Sequence, residues 1–232
     1  MTTLYLVPSL LSENTLHSVI PQNVLTVVHG LQQFVVEDFR TARRFLSKTK
    51  HPQKIENIQL YELNEHTPES EISKLLPIIR SADAGLLSEA GIPAVADPGS
   101  NLVRLAHENN IKVVPLVGPS SILMAIMASG LNGQSFAFVG YLPVKNKERQ
   151  ERIKALERRS AEERQTQIFI ETPYRNIQLL KDILSSCRSS TLLTVAADVT
   201  GTGEFIKTQT IKKWKNKLPE INKVPSVFLI QA

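Results

Sequence analysis

Carboxylates and Gly/Pro/Ser turns follow six short apolar runs of the sequence, each at the point where the run ends. A carboxylate can accept a proton in catalysis, and a tight turn can present backbone N–H groups to an anion. Helix caps and turns use the same residue types, but six such ends in one chain favour a binding site. The candidate catalytic residues are Glu37, Asp38, Arg40, Glu89, Glu171 and Asp198.

The elements that must position these residues alternate between short apolar runs and amphipathic stretches. Apolar runs at 4–7, 34–36, 58–63, 84–87 and 112–117 predict strands separated by helices. This alternation predicts an α/β fold with a mainly parallel sheet. Ligands of such sheets bind beyond the carboxyl ends of the strands, where the acids and turns lie.

The second half of the chain has a different rhythm. A charged helix at 147–164 and strands at 135–139, 167–170, 192–197, 204–208 and 226–230 predict a mixed sheet. At 232 residues the chain is long enough for one large or two small domains. We therefore predict two α/β domains in series, residues 1–118 and 119–232.

Two loops rich in glycine and proline lie within this pattern. One comprises 88–91 together with 97–99, where Asp97 is expected to cap a helix that starts with Pro98. The other, 118–121, opens a helix at 119–129 whose free N–H groups suit an anionic or ring acceptor. Residues 122–128 are apolar all round, which predicts a helix buried on every side.

The basic residues form two acid-poor runs. Residues 40–54 hold six lysines and arginines and no acid, and residues 207–223 hold six lysines and the single acid Glu220. Each run alone is typical of a solvated helix face, but together they favour an anionic partner such as RNA. The candidate RNA contacts are Arg43 and Arg44 of the first run, and Arg175, which lies outside both runs but whose guanidinium suits a phosphate.

Several other function classes are not supported. The chain has no P-loop, no dinucleotide-binding glycine motif, no nucleophile elbow and no metal-ligand spacing among its five histidines, so we expect no metal. Cys187 is expected to be a packing residue, and Trp214 a partly buried anchor more than a base-stacking platform. No signal peptide or membrane span is expected, which makes the cytoplasm the default compartment.

The middle of the chain contains an ordered set of short motifs, at 88–93 (SEAGIP), 97–99 (DPG), 102–104 (LVR), 111–115 (IKVVP), 118–120 (GPS), 128–131 (ASGL) and 140–143 (GYLP). In this order they resemble the tetrapyrrole methylase family of S-adenosylmethionine-dependent methyltransferases. Within that family the likeness is to the enzymes that methylate a ribose 2′-oxygen of 16S rRNA.

The resemblance implies two α/β domains with S-adenosylmethionine in a cleft between them, a homodimer, and small-subunit rRNA as the substrate. It assigns cofactor binding to two loops and to backbone near three positions of the second domain. These residues are Ser88, Glu89, Ala90, Gly91, Pro93, Asp97, Gly118, Pro119, Ser120, Ser121, Tyr141, Phe169 and Ala197.

Three departures from the family pattern leave alternatives open. The loop after the first strand, 8–14, has no glycine, and Glu89 stands where an aspartate is usual. Ala197 and Gly201 stand where the rRNA enzymes tend to have arginine and lysine. The alternatives are a methyltransferase of a small, tetrapyrrole-like molecule and a non-catalytic protein that binds the cofactor or RNA.

Overall fold

The computed structural model describes residues 2–232 and divides into two compact units, one ending at Ser120 and the other running from Ser121 to Ala232. The sequence prediction placed the division two residues earlier, at 118/119.

The first unit contains a five-stranded sheet with helices on both faces. Its strands are β1 (Thr3–Val7), β2 (Gln33–Val36), β3 (Gln59–Glu62), β4 (Ala84–Leu87) and β5 (Lys112–Pro115). Its helices are α1 (Leu16–Val19), α2 (Gln22–Gly30), α3 (Phe39–Lys48), α4 (Glu69–Ile72), α5 (Leu76–Ser81) and α6 (Gly99–Glu108).

This sheet is parallel throughout, in the order β3-β2-β4-β1-β5. Every residue of β2 and β4 is buried, as expected when helices cover both faces of a parallel sheet. Side chains alternate between the faces: Phe34 and Val36 belong to one core cluster and Val35 to the other. The prediction of a parallel α/β sheet is confirmed.

The second unit contains a mixed five-stranded sheet. Its strands are β6 (Phe136–Tyr141), β7 (Thr166–Ile170), β8 (Leu192–Ala197), β9 (Phe205–Thr210) and β10 (Ser226–Gln231). Its helices are α7 (Ser121–Ser129), α8 (Asn146–Glu163), α9 (Asn176–Ser186) and α10 (Ile211–Trp214).

The order of this second sheet is β6-β7-β10-β8-β9, with only the β6–β7 pair parallel. On one face Phe169 and Phe228 stack and share a core cluster with Ile153 of α8 and Ile183 of α9. The predicted mixed sheet is confirmed.

Two predictions about helices are wrong. α7 is not buried on every side: it packs against β9 and β10 through Ala125 and Ile126, while Leu123 and Met127 are exposed. A helix lying on a sheet buries only the stripe that faces it, whatever its composition.

The helical spacing of Ile72, Leu75, Leu76 and Ile79 predicts a single helix at 69–79, but the structure has α4, a 3₁₀ turn and α5 there, with Pro77 in the first turn of α5. Proline lacks the N–H that a continuous helix needs, but a first turn does not use it.

Within residues 2–232 no helix is both long and apolar enough to cross a membrane.

Candidate active site

Three loops at the carboxyl edge of the first sheet touch one another. The N–H of Ser9, after β1, donates to the carbonyl of Gly91, after β4, at 2.8 Å. A Cβ on Gly118, after β5, would lie 2.1 Å from Cβ of Pro8, so only glycine permits this contact. Because β4, β1 and β5 are neighbours in the sheet, their ends bring three separate sequence segments together.

Carboxylates gather at the same edge. The Glu37 carboxylate, after β2, accepts a hydrogen bond from the N–H of Glu89 at 3.1 Å. Burial raises the pKa of Glu37, and the charges of Asp97, Glu89 and Glu65 raise it further against that hydrogen bond. The four acids make this edge favourable for a positively charged group.

Asp97 holds the loop between β4 and α6 in shape. Its Oδ1 accepts from the N–H groups of Ala94 and Gly99, each at 2.8 Å, and burial raises its pKa. The expectation that Asp97 is the helix cap is wrong in detail, because Pro98 occupies that position. Asp97 still binds the first N–H of α6, from one residue further back. The same loop contains the other predicted cofactor residues Ser88, Glu89, Ala90, Gly91 and Pro93.

Asp38 and the arginines that follow it belong to α3. Asp38 is the N-cap, accepting from the N–H of Thr41 at 2.7 Å, and this hydrogen bond lowers its pKa. Arg40 is exposed, Arg43 lies 5.8 Å from the centre of the Phe39 ring, and Arg44 pairs with Glu13. Asp38 therefore has a structural task that competes with its predicted catalytic one.

A cavity of about 190 Å³ lies between α3 and the loop after β1. The cationic side chains of Arg44 and Lys48 line it together with Ser9, Ser12 and Thr41. This is where the structure places one predicted RNA contact, Arg44, close to a predicted site residue, Glu89, which also lines the cavity.

In the second unit, Glu171 has one satisfied and one unsatisfied carboxylate oxygen. Oε1 accepts from the Arg175 guanidinium at 2.6 Å and from the N–H of Thr172 at 2.7 Å. The side chain is only 1% exposed, and its Oε2 has no hydrogen-bond partner among residues 2–232. The hydrogen bond to Glu171 raises the pKa of Arg175, so this arginine stays charged.

Five buried polar side-chain atoms have no hydrogen-bond partner in the part of the chain that the structure describes. Glu171 Oε2, Arg175 Nε, Asn176 Oδ1 and Thr200 Oγ1 follow the ends of β7 and β8 in sequence, and Gln167 Oε1 lies within β7. A buried polar atom normally has a partner, because leaving it without one costs about 1–3 kcal/mol. These atoms therefore indicate a place where a polar ligand completes the hydrogen bonds.

Asp198 organises the loop after β8. Its backbone has a positive φ of 46°, and its Oδ2 accepts from the N–H of Gly203 at 2.9 Å. A Cβ on Gly201 would lie 2.1 Å from Asp198 Oδ1. A side chain at position 201 would displace the Asp198 carboxylate, and Asp198 has a structural role in its own loop.

The remaining predicted cofactor positions differ in accessibility. Tyr141, at the end of β6, is 58% exposed, whereas the side chains of Phe169 and Ala197 are buried and could offer only backbone. Pro119 and Ser120 are buried beside Gly118, and Ser121 is the first residue of α7.

Other residues that chemistry could use are structural. Cys187 lies in the core of the second unit, where burial raises the pKa of its thiol to about 12. Trp214 is 2% exposed and donates from Nε1 to the carbonyl of Leu193, so it is a core anchor. No group of three His, Cys, Asp or Glu side chains within residues 2–232 is placed to hold a metal ion.

The structure gathers the predicted site residues into two groups and adds some that the sequence analysis missed. Glu37, Glu89 and Asp97 share the edge of the first sheet, and Glu171 and Arg175 form the pair in the second unit. Asn176 and Lys48 were missed: an asparagine before a helix normally suggests a cap, and a lysine in a basic run suggests a solvated face.

Comparisons with known proteins show which family and which relatives this chain is similar to. A family described as Tetrapyrrole (Corrin/Porphyrin) Methylases matches residues 23–214. The curated relative "Ribosomal RNA small subunit methyltransferase I" of Escherichia coli O157:H7 is 34% identical over 188 residues, 81% of this chain and 63% of its own. The Pasteurella multocida protein of the same name is 29% identical over 92% of this chain and 74% of its own.

The match covers only part of the length of these relatives. The chain spans less than two thirds of the relatives from E. coli, at 63%, and Vibrio cholerae, at 62%.

Solved structures share the fold. The methyltransferase CobJ has a TM-score of 0.64 at 15% identity, covering 99% of this chain and 93% of its own. The cobalt precorrin-4 methyltransferase CbiF has a TM-score of 0.62 at 14% identity, covering 99% of this chain and 94% of its own. At these identities the likeness concerns the fold alone.

Proposed function

The chain belongs to the tetrapyrrole methylase family, and from that premise we propose that it is an S-adenosylmethionine-dependent methyltransferase of small-subunit rRNA. The observation that carries the proposal is its similarity, over 81% of the chain, to a curated rRNA small-subunit methyltransferase. The proposed acceptor is a ribose 2′-oxygen of 16S rRNA.

The residues of the first unit fit the cofactor by charge. When bound, S-adenosylmethionine supplies a methyl carbon on a positively charged sulfur, which makes it reactive towards an oxygen nucleophile without a metal. Glu37, Asp97 and Glu89 bring negative charge together at the sheet edge; the pKa of Glu37 is raised mainly by burial and further by these neighbouring charges. A cation there relieves the repulsion between the carboxylates.

Among the candidate acids, Glu171 is the one we assign to the acceptor hydroxyl. Asp38, Asp198 and Glu37 each accept a backbone N–H, as Glu171 does, but none of these three has a buried carboxylate oxygen without a partner among residues 2–232. Glu171 keeps a buried oxygen without a protein partner, positioned by Arg175 through the opposite oxygen. That oxygen can accept the proton of a ribose hydroxyl, and the Arg175 guanidinium suits a neighbouring phosphate.

The remaining parts of the proposal concern partners and place. We assign RNA contacts to Arg43, Arg44 and Arg175, cofactor contacts to the loops 88–97 and 118–121, and further backbone contacts to Tyr141, Phe169 and Ala197. The protein acts in the cytoplasm, as a homodimer, and without a metal.

Labelled methyl transfer tests the proposal. Small ribosomal subunits from cells that lack this protein are incubated with the protein and methyl-labelled S-adenosylmethionine, and cofactor binding is measured separately by calorimetry. The expected result is label in 16S rRNA that maps to a ribose oxygen. Cofactor binding without label in subunits or in free rRNA contradicts the rRNA substrate, and assays with tetrapyrrole precursors then separate a small-molecule enzyme from a non-catalytic protein.

A further inference from the structure

A groove of about 540 Å³ lies at one edge of the second sheet, and its lining residue Phe205 pairs with Ala197 at the end of β8. It is formed by the edge strand β9, the short helix α10 and the segment that follows it. Its lining includes the three lysines Lys207, Lys213 and Lys217, the acid Glu220, and Phe205, Gln209 and Leu218.

The pleat of β9 sets which side chains enter the groove. Phe205, Lys207 and Gln209 are two residues apart and share one face of the strand. The intervening Thr208 points the other way, and its hydroxyl donates to the carbonyl of Ser129 at 2.6 Å. The groove face of β9 is therefore fixed by packing on the opposite face.

The floor of the groove is rigid. The buried Trp214 ring meets Phe205 edge-on at 6.4 Å, and its indole N–H binds the carbonyl of Leu193 at 2.9 Å. This anchoring holds Lys213 and the segment that follows against the sheet. Lysines on such a support lose less conformational freedom on binding than lysines on a flexible tail.

The segment 207–223, which supplies most of the groove lining, is strongly positive, and three of its lysines line the groove together with Glu220. Glu220 is the one acid in the segment 207–223, and its six lysines are all exposed. Within residues 2–232 none of these lysines forms an ion pair. They are Lys207, Lys212, Lys213, Lys215, Lys217 and Lys223. Unpaired cations at this density attract a polyanion, because each contact with a phosphate releases a condensed counterion.

We propose that this groove binds the sugar–phosphate backbone of the RNA substrate, through lysines that are not among the residues assigned to methyl transfer. The proposal rests on the proposed function for the identity of the polyanion, and on the charge and shape of the groove for its place. Lys207, Lys213 and Lys217 contact phosphates, while Gln209 and Asn216 lie among them as neutral hydrogen-bonding groups.

The experiment removes three positive charges from the groove and leaves its shape. The variant K207Q/K213Q/K217Q is compared with wild type for binding of a fluorescein-labelled single-stranded RNA of mixed sequence, across a series of salt concentrations. A matched control, K147Q/K154Q/K181Q, removes three exposed lysines of α8 and α9 in the same unit. A third variant, K207R/K213R/K217R, keeps the charge.

We expect the groove variant to bind RNA at least about tenfold more weakly at moderate salt. The slope of log affinity against log salt falls by about 2, since each phosphate contact with single-stranded RNA contributes roughly 0.7. The arginine variant and the α8/α9 control bind like wild type, and all variants bind S-adenosylmethionine and unfold at wild-type temperatures.

Three results would overturn the proposal. One is unchanged RNA affinity and salt slope in the groove variant, and another is an equal loss in the α8/α9 control, which would indicate a general charge effect. The third is normal RNA binding by a groove variant that self-associates, which would show that the lysines prevent the edge strand β9 from pairing with another chain.

The proposed function and this inference can fail separately. Lysine-dependent RNA binding without methyl transfer to ribosomal subunits refutes the first and keeps the second. Conversely, methyl transfer to rRNA by a groove variant that binds RNA normally keeps the proposed function and refutes the RNA-binding groove.

Discussion

Glu37 and Glu171 show how environment separates two residues of one type. Both follow a buried strand, but Glu37 lies among other acids, whereas Glu171 is held by a cation and by the N–H of Thr172. The first environment favours a bound cation, and the second leaves a positioned carboxylate oxygen for a proton. The assignment of different roles to the two residues follows from these neighbours.

At the residue scale, we predict that Glu171→Gln lowers the rate of methyl transfer about 100-fold or more, the range of general-base catalysis. The amide keeps an oxygen for Thr172 and Arg175 but replaces the proton-accepting Oε2. Single-turnover kinetics measures the rate, and calorimetry measures cofactor affinity, which should change little. Glu151→Gln, on the exposed face of α8, is the control. A Glu171→Gln enzyme with a wild-type rate would exclude the proposed role.

A second residue-scale prediction concerns pH. The pKa of Glu37 is raised in the folded state, so folding favours its protonated form. The stability that protonated Glu37 contributes is present in acid and is lost as the pH rises through that raised pKa. Glu37→Gln should therefore be more stable than wild type at neutral pH, by less than about 1 kcal/mol for a partly exposed side chain. The difference should shrink in acid.

Urea unfolding at neutral and acidic pH measures this difference. The glutamine oxygen still accepts from the N–H of Glu89, which limits the change to charge. A variant that is less stable than wild type at neutral pH would show that the carboxylate is stabilising in the folded protein.

At the scale of elements, the loops after β1, β4 and β5 depend on close contact. Gly118 lies against Pro8, and Gly91 lies near Leu11 with a φ of +74°. Neither position tolerates a larger side chain without movement of a loop. The cofactor loops are therefore positioned by one another and by the order of the strands.

We predict that Gly118→Ala destabilises the protein by about 1–3 kcal/mol, because the added methyl group overpacks against Pro8. It should also weaken binding of S-adenosylmethionine. Thermal unfolding and calorimetry measure the two effects. Gly30→Ala is the control in the same unit, since a Cβ there meets nothing within 4 Å. Equal stability of Gly118→Ala and wild type would contradict the tight contact.

The helices α8 and α9 are joined by a buried ion pair. Arg149 and Asp182 are 5% and 4% exposed, with 2.6 Å between Nη2 and Oδ2. Asp182 also accepts from the amide of Asn146 at 2.9 Å. Both charges are well paired, and removing either one leaves the other buried alone.

Accordingly, Asp182→Ala should lower the free energy of unfolding by about 3–5 kcal/mol, because the Arg149 charge then has no counter-ion. Glu163→Ala, which breaks the exposed pair with Arg159, should cost less than about 1 kcal/mol. Chemical denaturation of the two variants gives the comparison. A similar loss of unfolding free energy in both variants would show that the buried ion pair between α8 and α9 contributes no more than the exposed pair.

At the scale of the whole molecule, exposed apolar side chains bear on assembly. Leu123 and Met127 are one helical turn apart on α7 and are 52% and 78% exposed. Apolar side chains exposed side by side favour a protein–protein contact. We therefore place part of the proposed homodimer interface on this face of α7.

The double variant Leu123→Gln/Met127→Gln should shift the dimer towards monomer by at least about tenfold in dissociation constant, the effect of roughly 1.4 kcal/mol. Sedimentation velocity across a concentration series measures the shift. Val144→Gln replaces another exposed apolar residue and is the control. A wild-type dimer that the double variant leaves intact would place the interface elsewhere.

Much of the fold was predictable from local patterns. The apolar runs of β2 and β4 and the buried face of α3 are local features, so spacing alone indicated the parallel sheet. The loops 88–93 and 118–120 carried the family resemblance, which the family match over residues 23–214 confirms. The assignment of individual site residues stays a prediction.

The amino-acid sequence by itself determined the fold class, the family and the set of candidate acids, because these depend on residue order and local spacing. Only the tertiary structure decided that Glu171 has a buried oxygen without a partner among residues 2–232 and that α7 has an exposed apolar side. Burial and hydrogen-bond partners come from segments far apart in the chain, such as Pro8 with Gly118 or Arg149 with Asp182. No local pattern encodes those contacts, since they arise only when the strands are ordered in the sheet and the helices are packed on it.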